Sequence, residues 1–479
     1  MNLINDFLRE AERHPERIAI IDKSGIAISY GDLERKSARL AATFAAKGIG
    51  KGDRVLVGTF PGIGLYAGLA ALWRVGAVAV FPEPAMGLAG FRHAATAAQP
   101  VALMANWKIG LLSRLLPETR RIPQRLSAEA ENAGLLDHCE VREPSDPALI
   151  SFTSGSTGLP KAIERSHGLM RAQHTALAPL IAPGEGFETD IVAFPAFVLT
   201  CIGHGGTAVM PNWNLRRHDR TSPDAVCRLA EETGATRLLV PPVVVERLLQ
   251  ARLQETVKRV MTGGGPLYPD IARRFLDANP GKGLTVVYGS TEAEPVSHVH
   301  LEELSDTDWE AAASGKGLPV GTPVDEVSLK FVDTEILVSG PHVNRGYLDP
   351  SRDRETKCVD GTTVWHRTGD AGRLDESGRL WLLGRYNASS EAYSAFSIET
   401  AARLWPGVSA AAFAVGPGGT PVLFLAGEAG HEELWRERLD MLGEIELQIV
   451  GEIPMDRRHR SKPDTAKLLA EARSARKTA

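Results

Sequence analysis

Residues 151 to 168 read SFTSGSTGLPKAIERSHG. Ile150 and Phe152 give the lead-in strand character. The next eight residues, Thr153 to Pro160, are drawn only from Thr, Ser, Gly, Leu and Pro, and Lys161 follows. Gly155 and Gly158 lack a Cβ, so a ligand can come close to the backbone there. The hydroxyls of Thr153, Ser154, Ser156 and Thr157, beside exposed backbone N–H groups, make a pocket for anionic oxygens. Lys161 adds a point charge suited to a phosphate. These residues predict a phosphate-cradling loop between a strand and a helix. The common P-loop is excluded, because that pattern needs Gly, four residues, then Gly-Lys-Ser/Thr, and here Ala162 follows Lys161. A Ser/Gly tract also reads as a flexible surface linker. The flanking strand signal and the Pro160-Lys161 ending count against that.

A chain of 479 residues is too long for one ordinary core. Its hydrophobic content of 43%, charged content of 24% and net charge of -5 describe an ordinary globular protein with no general reason to bind nucleic acid. Cys139, Cys201, Cys227 and Cys358 are widely spaced, so neither a zinc site nor a disulfide framework is indicated, and reduced cytoplasmic thiols fit. The amphipathic, charged N-terminus has no signal-peptide core. Gly62 to Phe81 is nearly apolar over about the length of a membrane span, but Arg74 and four glycines interrupt it. We read it as a buried helix running into a buried strand, with no stable membrane insertion.

Helix and strand patterns alternate along the first part of the chain, which predicts an α/β fold with parallel strands. Asp32 is placed to cap a helix running to about Lys47, where Gly48 and Gly50 stop it. Residues 222 to 250 read as helix, strand, helix. VKRVMTGGGPL and GLTVVYGSTEAEP each read as a buried strand ending in a glycine turn. Residues 317 to 385 carry short strands with turn signals, suggesting a small barrel-like β unit. The periodicity weakens after Arg385, and the remainder reads as a separate small α/β lobe.

Four further stretches bear on the loop. Tyr288-Gly289-Ser290-Thr291-Glu292 closes an apolar strand, and ligands sit beyond the carboxyl ends of parallel strands. Gly263, Gly264 and Gly265 close the strand before it, where a plain tight turn reads nearly as well. Trp365-His366-Arg367-Thr368-Gly369-Asp370 is followed by the turn Leu374 to Gly378 and the strand Leu380 to Arg385. Near the end stands Met455-Asp456-Arg457-Arg458-His459-Arg460-Ser461-Lys462, which alone reads as a basic, solvated tail.

TSGSTGLPK resembles the phosphate-loop signature of the acyl-adenylate-forming superfamily, which includes acyl- and aryl-CoA synthetases, nonribosomal adenylation domains and firefly luciferase. YGSTE and RTGD resemble its YG-x-TE and RTGD motifs, and Gly340-Pro341, Gly346-Tyr347 and Glu355-Thr356 its weaker GP…GY…ET pattern. The resemblance implies two α/β subdomains and the β unit in a large domain, residues 1–385. It implies a small mobile C-terminal lobe, residues 386–479, acting as a lid. By it, residues Thr153 to Gly158, Lys161, Gly263 to Gly265, Tyr288, Gly289, Asp370 and Arg385 would hold ATP. Tyr288 would stack on adenine, while Asp370 and Arg385 would reach the ribose. Thr291 would touch the α-phosphate, Glu292 and Thr153 would hold Mg²⁺, and Lys462 would swing in to the substrate carboxylate and α-phosphate. The implied activity is ATP-dependent conversion of a carboxylic acid to acyl-AMP with release of pyrophosphate.

MDRRHRSK, FPEPAMGLAGFRHAATAAQPVALMA and AFPAFVLTCIG resemble one branch in particular, the β-lactone synthetases of bacterial olefin biosynthesis. That implies a hydroxylated fatty or alkyl acid whose β-hydroxyl attacks the adenylate, with His204 and His298 as bases by residue type alone; either is also readable as a structural histidine. The thioester-forming branch carries a Lys and Gly segment after the Gly-Arg pair, whereas Tyr386 to Glu399 reads YNASSEAYSAFSIE, without either residue. CoA as acceptor therefore stays open, and an acyl- or aryl-CoA ligase is the alternative enzyme. A non-catalytic nucleotide- or acyl-binding protein is the alternative of another class. The acid pocket is expected along Phe194 to Gly206 and Gly263 to Leu267, apolar stretches rich in small residues. The oligomeric state is not readable from the sequence.

Overall fold

A computed structural model describes residues 2–82, 86–128, 134–153, 160–184, 186–388, 393–455 and 462–478. Among the described residues, strands form sheets of fourteen, six and three members. In the six-stranded sheet, Gln124–Ser127, Ala102–Ala105, Arg54–Gly58, Val78–Phe81 and Pro147–Thr153 pair parallel in that order, and Lys161–Ser166 closes the edge antiparallel. In the large sheet the run Ile18–Ile21, Thr207–Val209, Thr189–Val192, Arg237–Leu239, Arg259–Gly263 and Gly283–Ser290 is parallel. The strands between Leu318 and Arg385 pair antiparallel and join the large sheet through Leu318–Pro323 against Ala293–His300.

A helical layer lies between the two larger sheets. One continuous apolar cluster takes Val55, Ala79 and Met104 from one sheet, Ile20, Leu239 and Met261 from the other, and Leu65, Trp73, Leu177 and Val198 from helices between them. The apolar stretch expected to be helix then strand is the helix Ile63–Arg74 followed by the strand Val78–Phe81. That helix is buried from Leu65 to Arg74, as a helix apolar all round must be. Its one charge is neutralised inside the fold, with the Arg74 guanidinium 2.6 Å from Glu34. No helix among the described residues is long and apolar enough to cross a membrane.

Two local expectations are corrected. The first-turn helix cap is Ser29 and not Asp32: the Ser29 hydroxyl accepts from the Asp32 N–H, at the start of the helix Tyr30–Ala46. Asp32 sits inside the first turn, where its carboxylate answers the Ser29 hydroxyl and the helix dipole. The other concerns the phosphate loop, which runs between two strands.

The C-terminal residues build apolar cores of their own around the antiparallel pair Val408–Val415 and Pro421–Gly427. The helix Ala395–Arg403 ties them to the rest of the chain. Glu399, almost wholly buried, accepts from the Tyr268 hydroxyl at 2.5 Å and from the Phe413 N–H at 2.8 Å. Arg403 makes paired 3.0 Å bonds to Asp270 and lies over the Tyr268 ring. Burial pushes the Glu399 carboxyl up to about 7, against the hydrogen bonds from Tyr268 and Phe413. A carboxyl raised above its unfolded value binds a proton more readily in the folded state, so its contribution is present at acid pH and lost as pH rises through about 7. Thermal unfolding of this seam is therefore expected to be higher near pH 5.5 than near pH 8, and Glu399→Gln is expected to flatten that slope. An unchanged slope in the variant would show that Glu399 is not its source.

Candidate active site

The loop that dominates the sequence lies between two antiparallel strands, and not between a strand and a helix. Thr153 is paired with Lys161, and the ladder continues through Phe152 with Ala162 and Ser151 with Ile163. The segment KAIERS is a strand buried at Ala162, Ile163 and Arg165, and the helix His167–Ile181 begins only after it, capped by Ser166. Ser154, Gly155, Ser156, Thr157 and Gly158 lie outside the described residues. Thr153 is buried at the strand end. Lys161 emerges with its side chain about nine-tenths buried, 4.0 Å from the exposed Glu355 and over the Tyr347 ring.

Facing it is the hairpin Gly283–Ser290 and Ala293–His300, with Thr291 and Glu292 at its turn. The Thr291 carbonyl accepts from Arg165, which ties this turn to the loop's second strand. Gly263 stands where a Cβ would lie 2.6 Å from the Val287 carbonyl, so only glycine lets this strand pair so closely with the one ending at Tyr288. Gly264 turns the chain away at φ +78°.

Tyr288, Asp370 and Arg385 meet although 97 residues separate the first from the last in number. The cause is register: Asp370 lies directly opposite Arg385 in the antiparallel pair Thr363–Leu374 and Leu380–Arg385. The guanidinium donates to Asp370 Oδ1 at 2.7 Å, and the Tyr288 hydroxyl donates to Oδ2 at 3.0 Å. Each carboxylate oxygen keeps a second lone pair for a diol hydroxyl.

Glu292 is the centre of a second group. Its Oε1 accepts from the Tyr347 hydroxyl at 2.9 Å, and its carbonyl accepts from the Asn344 N–H at 2.7 Å. Burial works against its charge, but His366, Tyr347, a backbone N–H and Lys357 hold the carboxyl below its usual range. Lys357 donates to the Asn344 carbonyl and lies 3.3 Å from His366 Nδ1. Burial brings the Lys357 ammonium down to about 8 and His366 to about 4. Among the described residues no cluster of three or more His, Cys, Asp or Glu could enclose a metal. A hard cation here would rest on Glu292 and on oxygens of a ligand, which is how Mg²⁺ is usually held beside phosphates.

Against Arg165 opens a cavity of about 70 Å³. The expected segment contributes Pro195, Ala196, Phe197, Leu199 and Thr200, but Gly263 to Leu267 are not part of its wall. The rest comes from two helices not expected to line it, with Leu65, Tyr66, Leu69 and Trp73 on one and Met170, Gln173, His174 and Leu177 on the other, and from the strand residues Phe81, Leu149 and Arg165. A smaller cavity of about 30 Å³ adjoins it past His174, against Leu3 and Phe7.

Lys462 is exposed beside the bridge that joins Met455 to Pro463 in the C-terminal part. His204 Nδ1 is bonded to the Thr200 carbonyl at 2.8 Å, and His298 packs edge-on to His300. Among the described residues, no hydrogen bond or ion pair joins either histidine to Glu292, Asp370 or Arg385. Sequence reasoning missed Arg165, Asn344 and Lys357. Tyr347 and His366 stood inside quoted motifs, with no signal of which way they face.

The AMP-binding enzyme family matches residues 7–348, more than half of the chain. The chain belongs to that family. It is an adenylate-forming ligase. It is 29% identical over 402 residues to the olefin beta-lactone synthetase of Stenotrophomonas maltophilia (strain K279a), a match covering 75% of this chain and 72% of that one. It is also 29% identical over 414 residues to the salicyl-AMP ligase / salicyl-S-ArCP synthetase of Mycobacterium tuberculosis (strain H37Rv), covering 78% and 71%. Among solved structures, the O-succinylbenzoate coenzyme A synthetase of Bacillus subtilis in complex with ATP and magnesium superimposes with a TM-score of 0.77 at 20% identity, over 97% of this chain and 99% of that one. This likeness concerns the fold.

Proposed function

We propose that the chain activates a hydroxylated fatty or alkyl acid as its acyl-AMP, releasing pyrophosphate, and that the acid's own β-hydroxyl then closes a β-lactone. The observation that carries the first step is the joining of four distant segments around one cleft: Lys161, the Thr291–Glu292 turn, the Asp370–Arg385 pair and Tyr347. In this reading residues 1–385 bind ATP and the acid, and residues 386–479 form a lid bearing Lys462. Asp370 accepts the ribose hydroxyls, positioned by its bonds from Arg385 and Tyr288. Thr153 to Gly158 and Lys161 take the phosphates, beside Gly263 to Gly265 and Gly289. Mg²⁺, when bound, neutralises phosphate charge, and Glu292 with Thr153 would hold it. Lys462 and Thr291 stabilise charge on the α-phosphate while the carboxylate attacks in line.

The alkyl part of the proposal is supported by the cavity beyond Arg165, whose walls are mainly aliphatic and aromatic and which continues toward Leu3 and Phe7. The β-lactone part is supported by the olefin beta-lactone synthetase likeness and by the absence of Lys and Gly from Tyr386 to Glu399.

Protein incubated with ATP, Mg²⁺ and a panel of alkyl, 3-hydroxyalkyl and aryl acids is expected to release pyrophosphate with the hydroxyalkyl acids, and Lys462→Ala is expected to lose that release. Product mass separates the second step: loss of water from the free hydroxy acid marks a lactone, and a CoA adduct marks a thioester. No release across the panel would sink the adenylation reading.

A further inference from the structure

We propose that Lys357 is a second phosphate-binding cation of this site, acting beside Lys161 on the pyrophosphate end of ATP. The inference rests on the reading above that Lys161 and Glu292 face the phosphates. The segment Val343 to Leu348 is stitched to both sides of the cleft. Val343 bridges to Ala293 and Tyr347 to Ile163, while the Leu348 N–H donates to the Ala162 carbonyl at 2.9 Å. Tyr347 is thereby fixed between the loop strand and the Glu292 turn. Lys161 lies 5.3 Å from the centre of its ring, and Lys357 lies 5.4 Å from the same centre. Two ammonium groups from segments far apart in sequence thus attend one tyrosine, whose hydroxyl holds Glu292.

The local anions do not form a dedicated partner for Lys357. Asp353 accepts from the Tyr347 N–H, and Glu355 is 67% exposed and within 4.0 Å of Lys161; Glu292 and Asp353 favour the charge of Lys357 only through space. If Glu292 is given to a divalent cation, its charge no longer answers Lys357. An ammonium has three N–H donors. The Asn344 carbonyl takes one, and His366 Nδ1 stands 3.3 Å away but also 3.2 Å from the Thr356 carbonyl, so at least one donor is left for a ligand oxygen. His366 faces Lys357 across the antiparallel pair Lys357–Asp360 and Thr363–Leu374, so the donor is aimed by register as well as by bonding. A half-buried cation held at two corners, beside the lysine that closes the phosphate loop, is suited to a polyphosphate and has no role toward a nucleoside or an apolar acid.

Binding tests this without any acid substrate. Lys357→Gln is expected to weaken MgATP and magnesium pyrophosphate about tenfold to a hundredfold, the scale of one charge-assisted hydrogen bond. AMP affinity is expected to stay within about twofold, and Lys357→Arg is expected to restore most of the loss. Equal weakening of AMP, ATP and pyrophosphate would show a structural role and overturn the proposal, as would unchanged pyrophosphate binding. A second measurement uses the wild-type protein: magnesium pyrophosphate is expected to slow acetylation of Lys357 by acetic anhydride, read by peptide mass mapping, while AMP is not. Lack of protection overturns the proposal even if the variants fail to fold. A wild-type protein that binds MgATP but activates no acid would overturn the functional reading alone.

Discussion

Glu292→Gln is expected to cut pyrophosphate release by about 10²–10³-fold, the usual cost of losing one group that stabilises charge in a transition state. The substitution is chosen because the geometry should survive it. A glutamine side chain has the same length, and its carbonyl oxygen can still accept the Tyr347 hydroxyl that now lies 2.9 Å from Oε1. The bond from the Asn344 N–H goes to the main-chain carbonyl and is untouched. What disappears is the negative charge, on which a hard cation depends. The loss should therefore appear as a higher Mg²⁺ requirement and a lower rate at saturating acid, with little change in thermal stability. Wild-type activity in the variant at ordinary Mg²⁺ would remove Glu292 from the metal's ligands. A protein that loses stability and activity together would mean instead that the charge holds the Tyr347 and Lys357 network in place.

The contrast between this turn and its surroundings shows what the chain discloses on its own. A phosphate site needs glycine and hydroxyl residues in succession, so the loop at Thr153 and the turn at Glu292 are visible as composition. The Asp370–Arg385 pair was visible as two motifs, but the contact depends on strand register, which places residue 370 opposite residue 385. Register leaves no mark on either segment alone. The strand Lys161–Ser166 was hidden for another reason. Its buried residues, Ala162, Ile163 and Arg165, do not alternate strictly with Lys161, Glu164 and Ser166, so six residues carry too little period-2 signal to separate a short edge strand from the start of the helix that follows.

The cavity beside Arg165 was least legible. Its wall joins the helix Ile63–Arg74 to helices more than 100 residues further on. The helix Ile63–Arg74 is apolar all round, so its pattern shows that it is buried but not which face meets a ligand. Lys357 escaped notice because an isolated lysine after Glu355-Thr356 is ordinary on a surface; its meaning comes from Tyr347 and His366, which only the fold places beside it.

Arg237→Met is expected to destabilise the protein by about 3–5 kcal/mol, the range for breaking one side of a buried ion pair. Arg237 and Asp190 are neighbours on adjacent parallel strands, with side chains 7% and 0% exposed. The guanidinium meets Asp190 twice, at 2.6 and 2.8 Å, and donates to the Leu180 and Ile181 carbonyls at the end of the helix His167–Ile181. Methionine fills a similar volume but leaves the helix end without donors and the carboxylate with only the Cys201 thiol, 3.2 Å from Oδ2. Burial already pushes the Asp190 carboxyl up against the pull of Arg237, and removal of Arg237 takes that pull away. Because a raised carboxyl binds its proton more tightly when folded, the deficit should shrink as pH falls and grow as pH rises. Urea unfolding at pH 5 and pH 8 reads both the size and the slope. The double variant Asp190→Leu with Arg237→Met should recover much of the loss, since an apolar pair leaves no charge unanswered. The same helix carries Gln173, His174 and Leu177 on the cavity wall, so Arg237→Met should also blur discrimination among alkyl acids in the fraction that stays folded. A deficit below about 1 kcal/mol, the scale of a surface ion pair, would mean that water reaches Asp190 once the guanidinium is gone.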